Sequence, residues 1–177
     1  MVNIFYAKRT EFDSSYEMLK KILNERFSIF KYEIFKNENG KPFLRLENAT
    51  STASLFFSVS HTKSAYFIAI SDKNIGIDAE KCSRITHYAS ILRKFPEPEQ
   101  SIVENDIDFL RLWTAKESTI KWLGGTIAKD LGKLGYLNGQ VTFNGLELPL
   151  HITQMQLFEH IVSVCTEETE SPCFEKL

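Results

Sequence analysis

The stretch from Asp106 to Leu123 constrains the fold of this chain most tightly. It reads as one long helix, is stopped by Gly124-Gly125, and contains Trp113-Thr114-Ala115-Lys116-Glu117-Ser118-Thr119-Ile120-Lys121. Glu117 and Lys121 are four residues apart, so they lie one turn apart on one face, with Trp113 a turn earlier. Upstream, Gly76-Ile77-Asp78-Ala79-Glu80 is an apolar β-like run. Side chains alternate across a strand with period two, so Asp78 and Glu80 leave the same face and can share one ion. Strand and helix together supply three carboxylates, Asp78, Glu80 and Glu117, and two lysines, Lys116 and Lys121. That pattern suits a divalent metal held against a phosphate ester, because Mg²⁺ takes a few hard carboxylate oxygens and fills its shell with water and substrate phosphate.

Each piece also has a plainer reading. Glu followed by Lys four residues on is the favoured orientation of an exposed helix pair, and Asp-x-Glu at a strand end is commonly a solvated turn. The setting argues otherwise: Asp78 and Glu80 follow Ile75-Gly76-Ile77, and the face of Glu117 also carries Trp113 and Ile120. Charges beside apolar surface need partners.

With 177 residues the chain suffices for one compact domain or two small packed halves. Its 43% hydrophobic and 25% charged residues exclude disordered and fibrous classes. The net charge of -2 gives no global basic field, so no nucleic-acid partner is expected and a polyanionic ligand must meet local lysines and arginines. Cys82, Cys165 and Cys173 form no CxxC pair, as expected for reduced thiols. The basic residues near the N-terminus follow a short apolar run, the reverse of a signal peptide, and no stretch is long enough to span a membrane. A soluble cytoplasmic protein without a membrane partner is the expectation.

Asn3 to Ala7 reads as a strand, followed by an Asp13-Ser14-Ser15 cap and a helix with Tyr16, Leu19, Leu23 and Phe27 at helical spacing. Lys31 to Lys36 is a strand, turning at Asn37-Glu38-Asn39-Gly40 into Lys41-Pro42-Phe43-Leu44. Leu55 to Ser60, Ala65 to Ser71 and the run ending in Asp78 and Glu80 are further strands. Helical stretches broken by Pro96 and Pro98 then precede the long helix, which Asp106 is expected to cap. Gln140 to Phe143, Leu146 to Ile152 and Ile161 to Cys165 read as strands, and the polar tail from Glu167 as fraying chain. The second half thus repeats the plan of the first loosely.

Walker and Rossmann glycine loops and a Gly-x-Ser-x-Gly elbow are absent, and His61, His87, His151 and His160 lack zinc-ligand spacing. Ser58-Val59-Ser60-His61-Thr62 ends an apolar strand and places a hydroxyl and an imidazole at its edge, within reach of a phosphate. A lone histidine there is commonly structural.

In order and spacing, these pieces resemble the 4'-phosphopantetheinyl transferase superfamily. The matching blocks are Gly40-Lys41-Pro42, Phe57-Ser58-Val59-Ser60-His61-Thr62, Gly76-Ile77-Asp78-Ala79-Glu80-Lys81 and the run Trp113 to Lys121, with Lys94-Phe95-Pro96-Glu97-Pro98-Glu99 as a weaker fifth. The internal position of Gly-Ile-Asp-x-Glu and the loose repeat resemble the two-lobed type, similar to the surfactin synthetase activator. The resemblance implies an α+β fold of two similar lobes forming a pseudo-dimer, residues 1–80 and 81–177, in a monomer with its ligand site between them.

It further implies transfer of 4'-phosphopantetheine from coenzyme A to a serine of an apo acyl or peptidyl carrier protein, releasing adenosine 3',5'-bisphosphate. Fatty-acid, polyketide and nonribosomal-peptide carriers all fit. Asp78, Glu80 and Glu117 would bind Mg²⁺, with Mn²⁺ an acceptable substitute. Glu117, directly or through a water, would take the serine proton, and Lys121 would support the leaving phosphate. Coenzyme A would be held by Lys41, Ser60, His61, Lys116 and Lys121, while Trp113 packs. The family's Arg-containing helix start has no counterpart here; Lys8 and Arg9 are the candidates for that task. Pro96 replaces the family's second aromatic, and Arg84, Arg93 and Lys94 are candidates for carrier docking. The competing expectations are an inactive module that binds coenzyme A or a carrier, and a Mg²⁺-dependent hydrolase of nucleotide diphosphates.

Overall fold

The computed structural model describes residues 1–46, 55–85, 87–169 and 171–177. The chain begins β1 (Asn3–Lys8), a 3-10 turn (Arg9–Glu11), α1 (Ser15–Phe27), β2 (Tyr32–Lys36), β3 (Pro42–Leu46), β4 (Phe56–His61), β5 (Ala65–Ser71) and β6 (Gly76–Lys81). It continues α2 (Ala89–Leu92), α3 (Glu97–Gln100), α4 (Asp106–Leu123), α5 (Ile127–Asp130), β7 (Leu134–Leu137), β8 (Gln140–Phe143), β9 (Leu146–Leu148), β10 (His151–Leu157), β11 (His160–Thr166) and β12 (Cys173–Lys176). This is a mixed α+β architecture.

Local chemistry explains the two main helices. The Ser14 hydroxyl accepts the Glu17 N–H at 3.2 Å and opens α1, and Ser28 closes it in the left-handed region. Met18, Leu19, Ile22 and Leu23 are then buried against Phe5, Ile68 and Ile70. Tyr16, expected on the same stripe, is instead 43% exposed. At α4 the cap is Asn105 rather than Asp106: its Oδ1 accepts Ile107 N–H at 2.9 Å and Asp108 N–H at 3.1 Å. Gly124 ends the helix at φ 69°, where a side chain would be strained.

Two sheets carry the core. One has the order β12-β1-β5-β4, and its β5 is buried along its length; the other has the order β10-β11-β6. α4 lies across β6 and β11, as near as backbone allows. A Cβ at Gly76 would meet the Ser118 carbonyl oxygen at 1.9 Å and the Trp122 amide nitrogen at 2.6 Å. The hairpin of β2 and β3 and the small sheet β7-β8-β9 flank these layers.

The seam between the two sheets runs along β4 and β6, and serine hydroxyls bridge it. Ser58 Oγ accepts Ile77 N–H and Ser60 Oγ accepts Ala79 N–H, both at 3.1 Å. Each satisfies a buried donor of β6.

Several elements differ from the sequence expectation. The tail from Glu167 does not fray throughout: Cys173–Lys176 pairs with β1 in parallel and covers its edge. The strand expected over Leu146 to Ile152 divides at Pro149, which has no N–H for a ladder, into β9 and β10. Leu134–Leu137 adds β7, which the glycine-punctuated sequence hid. Residue 80 lies inside β6, which pairs with β11, while β12 returns to β1, so each half contributes one strand to the other's sheet. No described helix is long and apolar enough to cross a membrane.

Candidate active site

The seam of β4 and β6, crossed by the C-terminal half of α4, gathers most of the residues singled out in the sequence. Asp78 is buried on β6. Its Oδ1 accepts from Lys121 Nζ at 2.7 Å and from Ser60 Oγ at 2.8 Å. Lys121 Nζ also donates to the Ile77 carbonyl at 3.0 Å, so the ammonium is fixed on the strand by charge and by backbone together. Asp78 Oδ2 is buried and meets no hydrogen-bond donor among the described residues.

Glu80 and Glu117 share this neighbourhood. Burial pushes the Glu117 carboxyl up to about 8, the negative charges of Asp78 and Glu80 add to that push, and Lys121 and Arg84 oppose it. Glu80 is raised for the same first reason, burial, against the ion pair it makes with Arg84. Arg84, a docking candidate in the sequence, is thus engaged inside the site. Among the described residues no three His, Cys, Asp or Glu side chains already converge as an ion cage. The donor set nevertheless fits a hard divalent cation: three carboxylates feel one another's charge, and one buried carboxylate oxygen lacks a partner.

Two clefts meet at His61, which is exposed at the end of β4. One, about 400 Å³, is lined by Lys41, Pro42, Ser58, His61 and Lys121. The other, about 720 Å³, is lined by Arg9, His61, Lys63, Glu80 and Arg84. Of the three carboxylates Glu80 lines the larger cleft, while Lys121, paired with Asp78, lines the other. Arg9 lies over the Tyr66 ring at 5.1 Å, whereas Lys8, exposed at the end of β1, lines neither cleft.

Lys41 reaches the site from the β2–β3 turn. Its Nζ donates to Asn74 Oδ1 at 2.7 Å and to the Trp122 carbonyl at 2.9 Å, while Asn37 and Asn39 donate to the Gly124 carbonyl at 3.1 and 3.0 Å. The turn therefore satisfies the free carbonyls at the end of α4. Burial draws the Lys41 ammonium down to about 8.

Lys116 does not join these residues. It is wholly buried, its Nζ donating to Glu99 Oε2 at 2.5 Å and to the Leu134 carbonyl, with the Phe95 ring 4.3 Å away. Glu99 Oε1 in turn accepts Tyr136 N–H at 2.5 Å, so the pair ties α3 and β7 to α4. Trp113 stacks on Phe109, with centroids 5.8 Å apart. Sequence reasoning passed over Ser58, although its place two residues before Ser60 sets both hydroxyls on one strand face.

A family model for the 4'-phosphopantetheinyl transferase superfamily matches residues 74–165. Over 96 residues the chain is 38% identical to the 4'-phosphopantetheinyl transferase gsp of Aneurinibacillus migulanus. That match covers 50% of this chain and 37% of the relative, so the chain spans well under two thirds of that protein's length. The segment matched by the family model takes in β6, α4 and nearly all of β11, and with them Asp78, Glu80, Glu117 and Lys121. Matched over just over half its length, the chain belongs to the 4'-phosphopantetheinyl transferase superfamily.

Proposed function

We propose that this chain transfers 4'-phosphopantetheine from coenzyme A to a serine hydroxyl of an apo acyl or peptidyl carrier protein and releases adenosine 3',5'-bisphosphate. One observation carries the reading within this family: Asp78 and Lys121 are paired against Glu80 and Glu117, whose carboxyls burial and mutual repulsion push up. A divalent cation would give the Glu117 carboxylate and the unpartnered Asp78 Oδ2 a counter-charge, and Glu80 and Lys121 border the clefts that His61 joins.

In this reading Asp78, Glu80 and Glu117 hold Mg²⁺, for which Mn²⁺ can substitute. When bound, the ion neutralises the pyrophosphate and offsets charge that develops in phosphoryl transfer. Glu117 takes the proton of the carrier serine, whose oxygen forms the new bond to the phosphorus bearing pantetheine. The bond from that phosphorus to the adenylate oxygen breaks, and the leaving phosphate keeps the electron pair. Lys121 stabilises that charge, while His61 and Lys41 hold the nucleotide end and Arg9 adds a cation in the wider cleft. Ser60 acts through Asp78. Lys116, turned inward, has a structural part. The same reading takes the protein as a cytoplasmic monomer with pseudo-twofold lobes of residues 1–80 and 81–177, acting without nucleic acid.

The test is to incubate the protein with coenzyme A, Mg²⁺ and an apo carrier and to weigh the carrier by mass spectrometry. Gain of one phosphopantetheine on the serine is expected. Cleavage of coenzyme A without carrier would replace the reading with hydrolysis, and binding without either product would reduce the protein to a binding module.

A further inference from the structure

His160 opens β11, 98 residues after Thr62, and its ring is wholly buried between Tyr6 and Phe67, whose centroids lie 6.4 and 5.1 Å away. Its Nε2 stands 3.2 Å from Thr62 Oγ1 and 3.3 Å from Ser64 Oγ, both in the turn between β4 and β5. Its Nδ1 is buried and has no partner among the described residues. A phenylalanine would fill this aromatic site without leaving a polar nitrogen unsatisfied. The imidazole is the costlier occupant, and what it gains is its contact with the turn.

That turn carries His61, the residue common to both clefts. Its internal bonds are local: Thr62 N–H donates to the Ala65 carbonyl at 2.9 Å, and Thr62 Oγ1 accepts the amides of Ser64 and Ala65 at 3.3 and 3.1 Å. Having accepted two amides, the Thr62 hydroxyl has its own proton free to donate, and His160 Nε2 is within reach. Arg9 N–H also donates to the Ser64 carbonyl at 2.9 Å, but from the residue that directly follows β1, a strand of the same sheet as β4 and β5. His160 reaches the turn from β11, in the other sheet. Burial keeps its ring below the usual histidine range, and the neighbouring Lys81 and Glu159, which pair with each other at 3.1 Å, push it in opposite directions.

We propose that His160 is a positioning residue: by locking the Thr62–Ser64 turn from across the seam, it holds His61 where the nucleotide phosphates of coenzyme A bind. The inference rests on the transferase reading. Two substitutions test it, His160→Phe, which keeps the ring breadth without a hydrogen bond, and His160→Gln, which restores a polar group. In the full chain, His160→Phe is expected to raise the KM for coenzyme A about tenfold with kcat within twofold, and His160→Gln to recover most of that rise. Equal KM in His160→Phe and the unaltered protein would overturn the proposal, as would a parallel loss of kcat and of the cooperative unfolding transition. Amide NMR spectra of the turn separate this inference from its premise. Shifted or broadened Thr62 to Ala65 signals in His160→Phe are expected whether or not coenzyme A binds, and unchanged signals would sink the lock. If those signals move but the unaltered protein neither binds coenzyme A nor modifies a carrier, the nucleotide-positioning role falls with the transferase reading and only the turn lock stands.

Discussion

Glu117 holds its proton far above the ordinary value of 4.5, to about 8, because burial and the charges of Asp78 and Glu80 disfavour its anion. In chelator, a rise in pH from about 5 to 8 takes that proton from the unfolded chain while the folded chain keeps it, so Glu117's contribution to folding stability shrinks across this window and levels off above it. Glu117→Gln has no proton to lose. Urea unfolding at several pH values should therefore show a fall in stability for the unaltered protein that is shallower in the variant; identical slopes would remove the strained carboxylate. The same variant should keep its fold yet lose metal-dependent transfer. For Lys121, whose Nζ is fixed on Asp78 and on the Ile77 carbonyl, substitution by alanine should lower turnover at least tenfold while affinity for coenzyme A stays within about threefold. Calorimetric binding beside steady-state rates would separate the two, and equal turnover would end its role at the leaving group.

At the scale of elements, α4 is both the best-read part of the chain and the place where reading stopped short. Its span from Asp106 to Leu123 follows from periodicity and the Gly124 stop, and the shared face of Glu117 and Lys121 follows from the helical period. The inward turn of Lys116 does not, because its partner Glu99 and the Leu134 carbonyl arrive from α3 and β7, segments no helical period can place. A buried pair whose partner is removed leaves an uncompensated charge, so Lys116→Ala should cost about 3–5 kcal/mol of folding stability. In protein that remains folded at low temperature, coenzyme A affinity should be unchanged; a large loss of affinity would return Lys116 to the ligand site. Gly76 is the matching constraint on β6. Gly76→Ala must push α4 off the strand, because the atoms a methyl would meet are backbone. Its unfolding midpoint should fall sharply, and the approach of Lys121 to Asp78 should be lost with it.

At the scale of the whole molecule, what sequence could not reveal is long-range pairing. β12 reads as a polar tail because its partner β1 lies at the other end of the chain, and β6 reads as the last strand of the first half although it is laddered to β11. The site sits at the seam of β4 and β6, which Ser58 and Ser60 close rather than a β ladder. Removing either hydroxyl leaves a buried amide of β6 without an acceptor, which costs about 1–3 kcal/mol. The two serines should nonetheless differ in consequence. Among the described residues Ser58 Oγ bonds the Ile77 amide alone, so Ser58→Ala should lower stability and speed hydrogen exchange at Ile77 with little change in turnover. Ser60 serves the Ala79 amide and also donates to Asp78 Oδ1, so Ser60→Ala should speed exchange at Ala79 and, by loosening the carboxylate that Lys121 grips, reduce turnover as well. Since both hydroxyls close one seam, the double variant should lose less stability than the two single losses add up to, because removing one bond already weakens the other. Strict additivity, with exchange confined to one amide per variant, would show instead that β4 and β6 are held by side-chain packing and that the hydroxyls are incidental to the site.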